Sequence, residues 1–327
     1  MRRLQANDPC WCASGRKHKR CHGDLRALDR PRVRRGSVTP VRPVPHDIPR
    51  PDYVTTGRIT TSRGPQIHDA ESLARHRRAC AVAAEVLLRA GSAVAVGRTT
   101  DELDAVAHAA YVELGAYPSD LGYHGYTKSI CTSVNGVICH GIPDDRPLGD
   151  GDIVNIDVTA YVDGMHGDTS ATFCVGSTSA AIAGLVDTTR EAMLRGIAAI
   201  RPFEPLQRVA RAIEPFAASR GYGVVRDYGG HGIGATFHAD PHVHHCIEPH
   251  DRTVLLPGTT LTVEPMLTAG SATHHRADDG WTEHTDDGLP SAQFEHTVLV
   301  TEHGAEVLTV TLDGRTAAGT LDELPSR

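Results

Sequence analysis

Apolar side chains recur at helical spacing in the stretch that follows residue 68. Asp69 can cap a first helix, and its apolar positions continue until Gly91. Thr99 and Glu102 fit the capping-box pattern at the start of a second helix, which Gly115 would end. The sequence therefore predicts two consecutive helices that pack on a core.

Beyond Gly115 the apolar period shortens to the alternation that is typical of strands. The predicted strands have β-branched or alternating residues between Gly, Pro, Asp or Asn, and they are Ile130–Val134, Ile153–Val162, Ala171–Val175, Thr260–Val263 and Phe294–Thr301. Two helical stretches, near 179–200 and 205–220, separate the earlier strands from the later ones. Because strands and helices are grouped rather than strictly alternating, we expect an α+β body with an antiparallel sheet.

The composition is that of a chain that folds, since 40% of its 327 residues are hydrophobic and 22% are charged. No apolar run reaches the roughly 18 to 20 residues of a membrane span. The longest candidate, Ala79–Gly97, is interrupted by Glu85 and Arg89. The first residues also lack the apolar stretch of a secretory signal. We therefore expect a cytoplasmic protein that makes no membrane contact.

Charge is divided unevenly along the chain, although the net charge is only −7. Residues 1–36 hold 11 Lys and Arg against three Asp and Glu, whereas the other residues hold 22 against 37. Prolines are dense between residues 36 and 51, so we interpret this stretch as a semi-rigid spacer that cannot bury a core. The expected organisation is a basic head at 1–35, a proline-rich linker and extension at 36–68, a body at 69–315 and a tail at 316–327.

Cysteine and histidine cluster in the basic head. Cys10, Cys12, Cys21 and His22 supply three thiols and an imidazole, a soft ligand set that suits one tetrahedral zinc ion. A short stretch with almost no core needs such a clamp to hold a shape. The alternative is an unstructured basic tail with incidental thiols, but the two tight ligand spacings favour a zinc knuckle.

Acidic side chains stand inside predicted strands of the body. Alternation places Asp157 on the polar face of its strand, and a turn near Asp163 could bring Asp168 toward it across a hairpin. Glu264 and Glu295 also lie in strand-like runs, where unpaired carboxylates are unfavourable. Like charges at short range would force one group to keep its proton, unless divalent cations neutralise them.

His231 completes this set, because it stands in a run of glycines that permits close approach of a ligand or metal. Four carboxylates and one imidazole suit two ions such as Co²⁺, Mn²⁺ or Fe²⁺ better than a thiolate zinc site does. Each residue alone has a structural interpretation, and only the combination supports a metal site. The histidines at 242–245 and 274–275 are interpreted as solvated loop residues without a metal.

Two stretches of the chain resemble known families. Residues 7–23 resemble the SEC-C zinc motif of the preprotein-translocase ATPase, with Ala13 where that motif usually has glycine. From about Asp69 to Val310 the chain resembles type I methionine aminopeptidase, the pita-bread fold, and the motifs occur in family order. They are Leu121-Gly122-Tyr123-His124-Gly125-Tyr126, Val137–Pro143, Asn155–Asp157, Gly167–Ser170, Gly230–Gly234, Phe237-His238, Val263–Pro265, Asp279–Thr282 and Ser291–Thr297.

This second resemblance implies a role for individual motif residues. It implies that Asp168 and Glu295 bridge two divalent ions. The full set of ligands that it implies is Asp157, Asp168, His231, Glu264 and Glu295. It implies that His140 and His238 contact the scissile peptide. It also implies a methionine pocket shaped by Tyr123, Tyr126, Cys131, Phe237 and Trp281. Asp120 departs from the family, whose members often have cysteine there, and the polarity of one pocket edge differs accordingly.

The resemblance implies co-translational hydrolysis of the N-terminal Met-peptide bond in nascent proteins with a small second residue. Hydroxide activated by the two ions would attack the carbonyl, and Glu264 would act as general base and proton shuttle. His238 would stabilise the oxyanion, and His140 would lie beside the peptide nitrogen. The SEC-C motif implies recruitment, with ribosome contact through its basic residues and RNA phosphates. The protein is expected to be a monomer.

Three alternatives are open at this point. An aminoacylproline or creatine hydrolase would share the fold and ligands, although the motifs around Tyr123 and Phe294 favour methionine. A catalytically silent pita-bread binding module should have lost ligands, and this chain keeps all five. A ribosome-tethering scaffold would keep the knuckle and tolerate Glu264→Ala without loss of function.

Overall fold

The computed structural model describes residues 4–29, 33–59, 62 and 64–320. Parts of the predicted head, linker and tail, including residues 1–3, 30–32 and 321–327, lie outside the described residues. The helices of the described part are α1 Leu25–Leu28, α2 Asp52–Thr56, α3 Ala70–Ser92, α4 Thr100–Glu113, α5 Ala180–Ala198 and α6 Arg208–Arg220. None of these helices combines the length and apolar content that crossing a membrane requires.

The strands of the described part pair only in antiparallel fashion. They are β1 Tyr117–Pro118, β2 Cys131–Val134, β3 Val137–Cys139, β4 Ile153–Val162, β5 Met165–Cys174, β6 Gly223–Val224, β7 Gly230–Gly232, β8 Ala239–Val243, β9 Thr260–Val263, β10 Met266–Thr268, β11 His274–Arg276, β12 Glu283–Thr285, β13 Ser291–Gln293, β14 His296–Val300, β15 Ala305–Val307, β16 Arg315–Thr316 and β17 Gly319–Thr320.

Two larger sheets carry the body. In one, β1 and β2 pair with β4, which also pairs with β5; the other has the order β15-β14-β9-β7-β8. Helix α3 packs on β4 and β5, and α5 packs on α6. The main apolar core takes side chains from α3 to α6 and from both sheets. The predicted α+β arrangement of antiparallel sheet and flanking helices is therefore confirmed.

The helix signals of the sequence operate as predicted. The Asp69 side chain accepts a hydrogen bond from Ser72 N at 2.8 Å, and α3 begins at the next residue, Ala70. Thr99 and Glu102 make both hydrogen bonds of the capping box before α4. Local side-chain chemistry is sufficient to place both helix starts, because each cap satisfies backbone N–H groups that have no partner inside the helix.

The strand predictions hold for β4 and β9 and are less accurate elsewhere. The predicted strand Ala171–Val175 is only the end of β5, which pairs with the whole of β4 from Val162↔Met165 to Ile153↔Cys174. The missed half of β5 is polar, so its sequence lacks apolar alternation. The last predicted strand, Phe294–Thr301, begins two residues later, at His296.

The proline-rich segment packs along the body, so the interpretation of a spacer that cannot bury a core is wrong. Val44 and Ile48 are buried in a small apolar cluster with Tyr117 and Leu121. Tyr53 of α2 is also buried, and its hydroxyl donates to the carbonyl oxygen of Ser119. Prolines fix extended geometry without preventing the side chains between them from reaching an apolar surface.

Charged groups hold the same segment in place. Arg42 lies 2.7 Å from Asp101 and 3.0 Å from Asp104, both of α4. Lys128 is 1% exposed, and its Nζ atom donates to Thr39 Oγ1 at 2.6 Å. Two cations and two carboxylates thus offset one another between segment and body.

The head packs against α5 and α6. Leu28 of α1 is part of the main apolar core, and Leu4 N donates to Ala218 O at 3.1 Å. The guanidinium of Arg220 lies 4.3 Å from the ring centre of Trp11, a cation–π contact. Four basic side chains of the head face solvent: Arg16, Lys17, Lys19 and Arg20.

Candidate active site

One cavity of about 340 Å³ brings together all twelve body residues to which the resemblance gives a role. They are Tyr123, Tyr126, Cys131, His140, Asp157, Asp168, His231, Phe237, His238, Glu264, Trp281 and Glu295. The same cavity is also lined by Asp120, which was predicted at a pocket edge, and by residues without a prediction, among them Tyr228 and Met266. The distant motifs of the sequence therefore meet at a single place.

The predicted metal ligands form the polar end of this cavity. Asp168, His231 and Glu295 each offer a ligand atom within 4.8 Å of the other two. His231 Nε2 lies 3.6 Å from Asp168 Oδ2 and 3.8 Å from Glu264 Oε1. Asp157 lines the cavity outside the three-residue group. Three of the five residues are therefore in mutual reach, Glu264 lies within reach of His231, and Asp157 lines the same cavity.

Strand pairing does not place Asp157 and Asp168 directly opposite each other. Asp168 pairs with Thr159, whose hydroxyl donates to Asp168 Oδ1 at 2.8 Å, and Asp157 pairs with Ser170. Asp157 and Thr159 are two residues apart on β4, so their side chains lie on one face. The predicted hairpin is thus present, with the carboxylates diagonal to each other across it.

The carboxyl groups of this cluster resist ionisation together. Burial raises the pKa of Asp157 well above its ordinary value, and the charge of Asp168 adds to the effect. The pKa of Glu295 is raised for the same two reasons. Burial also raises the pKa of Glu264 to about 7, despite the opposing charge of His231. Such a group of acids is stabilised by nearby positive charge.

Divalent cations fit the donors that are present. Glu295 Oε1 is buried and has no hydrogen-bond partner among the described residues. His231 Nδ1 lies 3.1 Å from the carbonyl oxygen of Gly232, a contact that leaves Nε2 free to bind a metal. Carboxylate oxygens with one imidazole are a hard ligand set, which suits ions such as Mn²⁺, Fe²⁺ and Co²⁺.

Glycines beside His231 are required by neighbouring strands. A Cβ atom on Gly230 would lie 2.2 Å from the carbonyl oxygen of Thr262, and one on Gly232 would lie 2.0 Å from that of Asp240. The prediction attributed these glycines to close approach of a ligand or metal. The structure attributes them to the close packing of β7 between β8 and β9, which fixes the backbone that carries His231.

Aromatic rings form the opposite, less polar wall. The ring of Tyr123 packs against Phe237 at 4.9 Å and stacks on His238 at 5.2 Å, both between centroids. Tyr126 and Trp281 meet edge to face at 5.0 Å. An unbranched thioether side chain fits such a wall, because sulfur–aromatic contacts contribute about 0.3 to 1.5 kcal/mol each.

Two histidines stand between the carboxylates and this wall. His238 Nδ1 lies 3.0 Å from the hydroxyl of Tyr123, and its pKa is lowered well below the ordinary value by burial and by neighbouring imidazoles. Burial also lowers the pKa of His140 to about 4. Both rings are therefore neutral at pH 7 and can each donate one hydrogen bond into the cavity.

The head contains a second, separate cluster of ligand atoms. Cys10 Sγ lies 3.2 Å from His22 Nδ1, and Cys12 Sγ lies 3.5 Å from Cys21 Sγ. Tetrahedral zinc separates neighbouring ligand atoms by roughly 3.4 to 3.8 Å, so this spacing matches one ion. The side-chain hydrogen bond of Ser14 lowers the pKa of Cys12 to about 7, which favours a thiolate ligand.

The family profile of metallopeptidase family M24 matches residues 74–302. The chain belongs to metallopeptidase family M24. This M24 member also matches the SEC-C motif at residues 7–24. Within the family it belongs with the type I methionine aminopeptidases, as the resemblance predicted.

Named relatives of this M24 member cover most of its length. Methionine aminopeptidase 2 of Mycobacterium tuberculosis is 50% identical over 84% of this chain and 96% of its own. Methionine aminopeptidase 1D of Arabidopsis thaliana, chloroplastic or mitochondrial, is 47% identical over 86% of this chain and 80% of its own. The crystal structure of methionine aminopeptidase from Rickettsia prowazekii has a TM-score of 0.74 and 42% identity, covering 76% of this chain and all of its own. The pita-bread fold is therefore confirmed.

Several side chains around the ligands of this M24 member were missed by sequence reasoning. Thr262 Oγ1 and Gln293 Nε2 donate to the two oxygens of Glu264, at 2.7 and 3.2 Å. His245 Nε2 accepts from Glu264 N at 3.1 Å and is 2% exposed, so its interpretation as a solvated loop residue is wrong. His245 stands in a run of histidines, and the sequence does not indicate which of these histidines the fold buries.

Proposed function

We propose that this M24 member removes the N-terminal methionine from nascent polypeptides whose second residue is small. The convergence of the twelve motif residues on one cavity supports the proposal, because aromatic rings and the carboxylate cluster line the same space. The relatives described above, named methionine aminopeptidases, support methionine over aminoacylproline or creatine as substrate. The persistence of all five ligands speaks against a silent binding module.

We propose that two divalent ions, Co²⁺, Mn²⁺ or Fe²⁺, occupy the polar end of the cavity. The residues that would hold them are Asp157, Asp168, His231, Glu264 and Glu295. Such ions supply a nucleophilic hydroxide at neutral pH and a Lewis acid for the peptide carbonyl. Two ions would offset the charge of the four carboxylates, which burial otherwise keeps from ionising together.

The chain's own residues would handle the protons and the developing charge. Glu264 would accept a proton and return it to the leaving amine. Thr262 and Gln293 keep its two oxygens in place. When the Tyr123 hydroxyl donates to His238 Nδ1, the Nε2–H of His238 is left to donate to the oxyanion. His140 would lie beside the peptide nitrogen.

Cleavage of Met-Ala-Ser after chelation and re-addition of each metal ion tests this function. We expect methionine to be released by the metal-loaded protein only, and Ala-Pro to stay intact in the same assay. Cleavage of Ala-Pro in place of Met-Ala-Ser would instead identify a proline-directed hydrolase. Tight binding of Met-Ala-Ser without cleavage would identify a binding module.

We propose that the head binds one zinc ion and recruits the enzyme to the ribosome in the cytoplasm. The face of the head that carries Trp11 packs against the body. The exposed basic residues of the head could then contact RNA phosphates, and they are Arg16, Lys17, Lys19 and Arg20. Such contacts weaken as salt screens them. Sedimentation with ribosomes at increasing salt tests the contact, and binding that is insensitive to salt would contradict it. The protein is proposed to act as a monomer.

Cys21→Ser should abolish zinc binding by the head. Loss of one of four ligands removes much of the metal affinity, and a short segment held by a metal then loses its shape. We expect bound zinc to fall by one equivalent per chain, measured by metal analysis, with cleavage of Met-Ala-Ser within about twofold of wild type. Cys174→Ser is the matched control, since Cys174 is an exposed free cysteine outside the cluster. Equal zinc content in both variants would contradict the assignment.

Asp120→Cys should tighten substrate binding. Burial raises the pKa of Asp120 well above its ordinary value, and the charge of Asp168 adds to this. Filling the pocket removes water from this carboxyl at a cost of roughly 1 to 3 kcal/mol, which a thiol avoids. We expect the KM for Met-Ala-Ser to fall about tenfold, measured by steady-state kinetics. A KM that is unchanged or higher would show that Asp120 does not oppose the methionine side chain.

A further inference from the structure

Glu283 is a buried acid, 2% exposed, that does not line the active-site cavity. It lies on β12 and pairs with Cys139 of β3, the residue that precedes His140. A carboxylate in such a place is unfavourable by several kcal/mol unless donors surround it. Hydrogen-bond donors must therefore surround Glu283 if the sheet is to tolerate its charge beside the cavity.

Three side chains donate to this carboxylate. Tyr228 OH lies 2.6 Å from Glu283 Oε1, and Arg276 Nε lies 2.7 Å from the same oxygen. His274 Nδ1 lies 3.0 Å from Glu283 Oε2. Arg276 Nη2 also donates to the Tyr228 hydroxyl at 3.0 Å, so arginine, tyrosine and carboxylate form a closed triangle. His274 is therefore no solvated loop residue, contrary to its prediction.

Tyr228 connects this network to the cavity. It lies between β6 and β7, outside any strand, so backbone pairing does not fix its ring. The ring lines the cavity and meets His140 edge to face, with 5.4 Å between centroids and an angle of 82° between planes. The ring packs against an apolar cluster that includes Cys139 and Met266, and the two hydrogen bonds at its hydroxyl, from Arg276 and to Glu283, set its direction within that cluster.

We propose that Glu283 is a positioning residue, which fixes Tyr228 and through it the orientation of the His140 ring. The inference rests on the proposed function, because that function gives His140 its role beside the scissile peptide. An ion pair that only stabilised the sheet would need Arg276 and Glu283 but no contact with a cavity wall. Loss of the Tyr228 hydroxyl would leave its ring in place but free to tilt away from His140.

Steady-state kinetics on Met-Ala-Ser test the proposal in two backgrounds. We expect Tyr228→Phe and Glu283→Gln each to lower kcat about tenfold with KM within about twofold. In a His140→Ala background the same substitutions should change kcat by less than about twofold, because they act through the absent ring. The matched control is Glu306→Gln, which breaks a bidentate pair with Arg77 outside the cavity lining, at 2.8 Å for both contacts. An equal loss of kcat with and without His140 would overturn the proposal.

Histidine ring NMR gives a second readout that needs no substrate. The ring signal of His140, assigned by its loss in His140→Ala, should shift or broaden in Tyr228→Phe and Glu283→Gln and stay unchanged in Glu306→Gln. A His140 signal unchanged in all three variants would overturn the positioning role, whatever the enzyme cleaves. Failure of the wild type to cleave Met-Ala-Ser would count against the proposed function instead, and the NMR result would still decide the role of Glu283.

Discussion

Glu264→Ala is expected to lower kcat for Met-Ala-Ser by about 10² to 10⁴, the range that general acid–base groups contribute. The resemblance gives Glu264 the role of general base, which accepts a proton and returns it to the leaving amine. Its oxygens are also the ones held by Thr262 and Gln293, which indicates a fixed orientation. Stopped assays of methionine release with metal-saturated protein would measure the loss.

Two comparisons make this result specific. Glu306→Ala removes a carboxylate of equal size from the pair with Arg77 and should keep kcat within about twofold of wild type. Metal analysis of Glu264→Ala separates loss of the base from loss of an ion, because Glu264 is also a proposed ligand. A metal-loaded Glu264→Ala protein that keeps a tenth or more of wild-type kcat would contradict the role of Glu264 and favour a scaffold whose activity lies elsewhere.

In the metal-free protein, the raised pKa of Glu264 is expected to contribute stability that is lost as pH rises. A carboxyl group whose pKa is raised by folding holds its proton more tightly in the native state, so stability is greatest below its unfolded pKa. For Glu264 the stability is lost as pH rises from about 4.5 to about 7. At 1.36 kcal/mol per pKa unit, this group alone destabilises the metal-free protein by roughly 3 kcal/mol across that interval. Asp157 and Glu295, also raised, act in the same direction.

Urea unfolding of the chelated protein at a series of pH values would measure this fall. Measured relative to wild type, the free energy of unfolding of Glu264→Gln should rise over the same interval, because the variant lacks one raised carboxyl. Adding divalent ions at about 100 times their Kd should stabilise the protein by about 2.7 kcal/mol for each ion bound at neutral pH. Comparison with Cys21→Ser removes the contribution of the zinc knuckle, whose ion a chelator also extracts. An identical pH dependence of unfolding in metal-free wild type and metal-free Glu264→Gln would contradict the raised pKa of Glu264.

Local chemistry allowed much of the fold to be predicted from the sequence. Asp69, Thr99 and Glu102 placed two helix starts, since each cap acts within three residues of itself. Alternation gave the bounds of β4 and β9, whose inward faces are apolar. It failed for the first half of β5, because that strand carries polar residues such as His166 and Asp168 in place of an apolar face.

The site was predictable as a set of residues and less so as a geometry. Motif order indicated that Asp157 and Asp168 would approach, and the register that makes them diagonal emerges only from the pairing of β4 with β5. The partners of Glu264 and Glu283 come from segments up to 55 residues away, as for Tyr228. No local sequence pattern predicts such contacts, because the sequence does not distinguish a buried histidine or carboxylate from an exposed one.

The proline-rich segment shows the same limit. Its composition predicted an extended chain, and residues 36–48 do run without a helix or strand. Whether an extended chain stands free or packs on a body depends on complementary groups elsewhere. Here Arg42 meets two carboxylates of α4, and Val44 meets a pocket beside β1. The spacer interpretation missed these partners because they lie more than 50 residues farther along the chain.

Counting bound ions against activity in one titration tests whether divalent ions in the body carry the cleavage reaction. Chelated protein would be titrated with Mn²⁺ or Co²⁺ while bound metal per chain and cleavage of Met-Ala-Ser are measured on the same samples. The account predicts no cleavage without body metal, and activity that rises as up to two ions bind beyond the knuckle ion. Full cleavage by protein that holds no metal apart from the knuckle ion would contradict it.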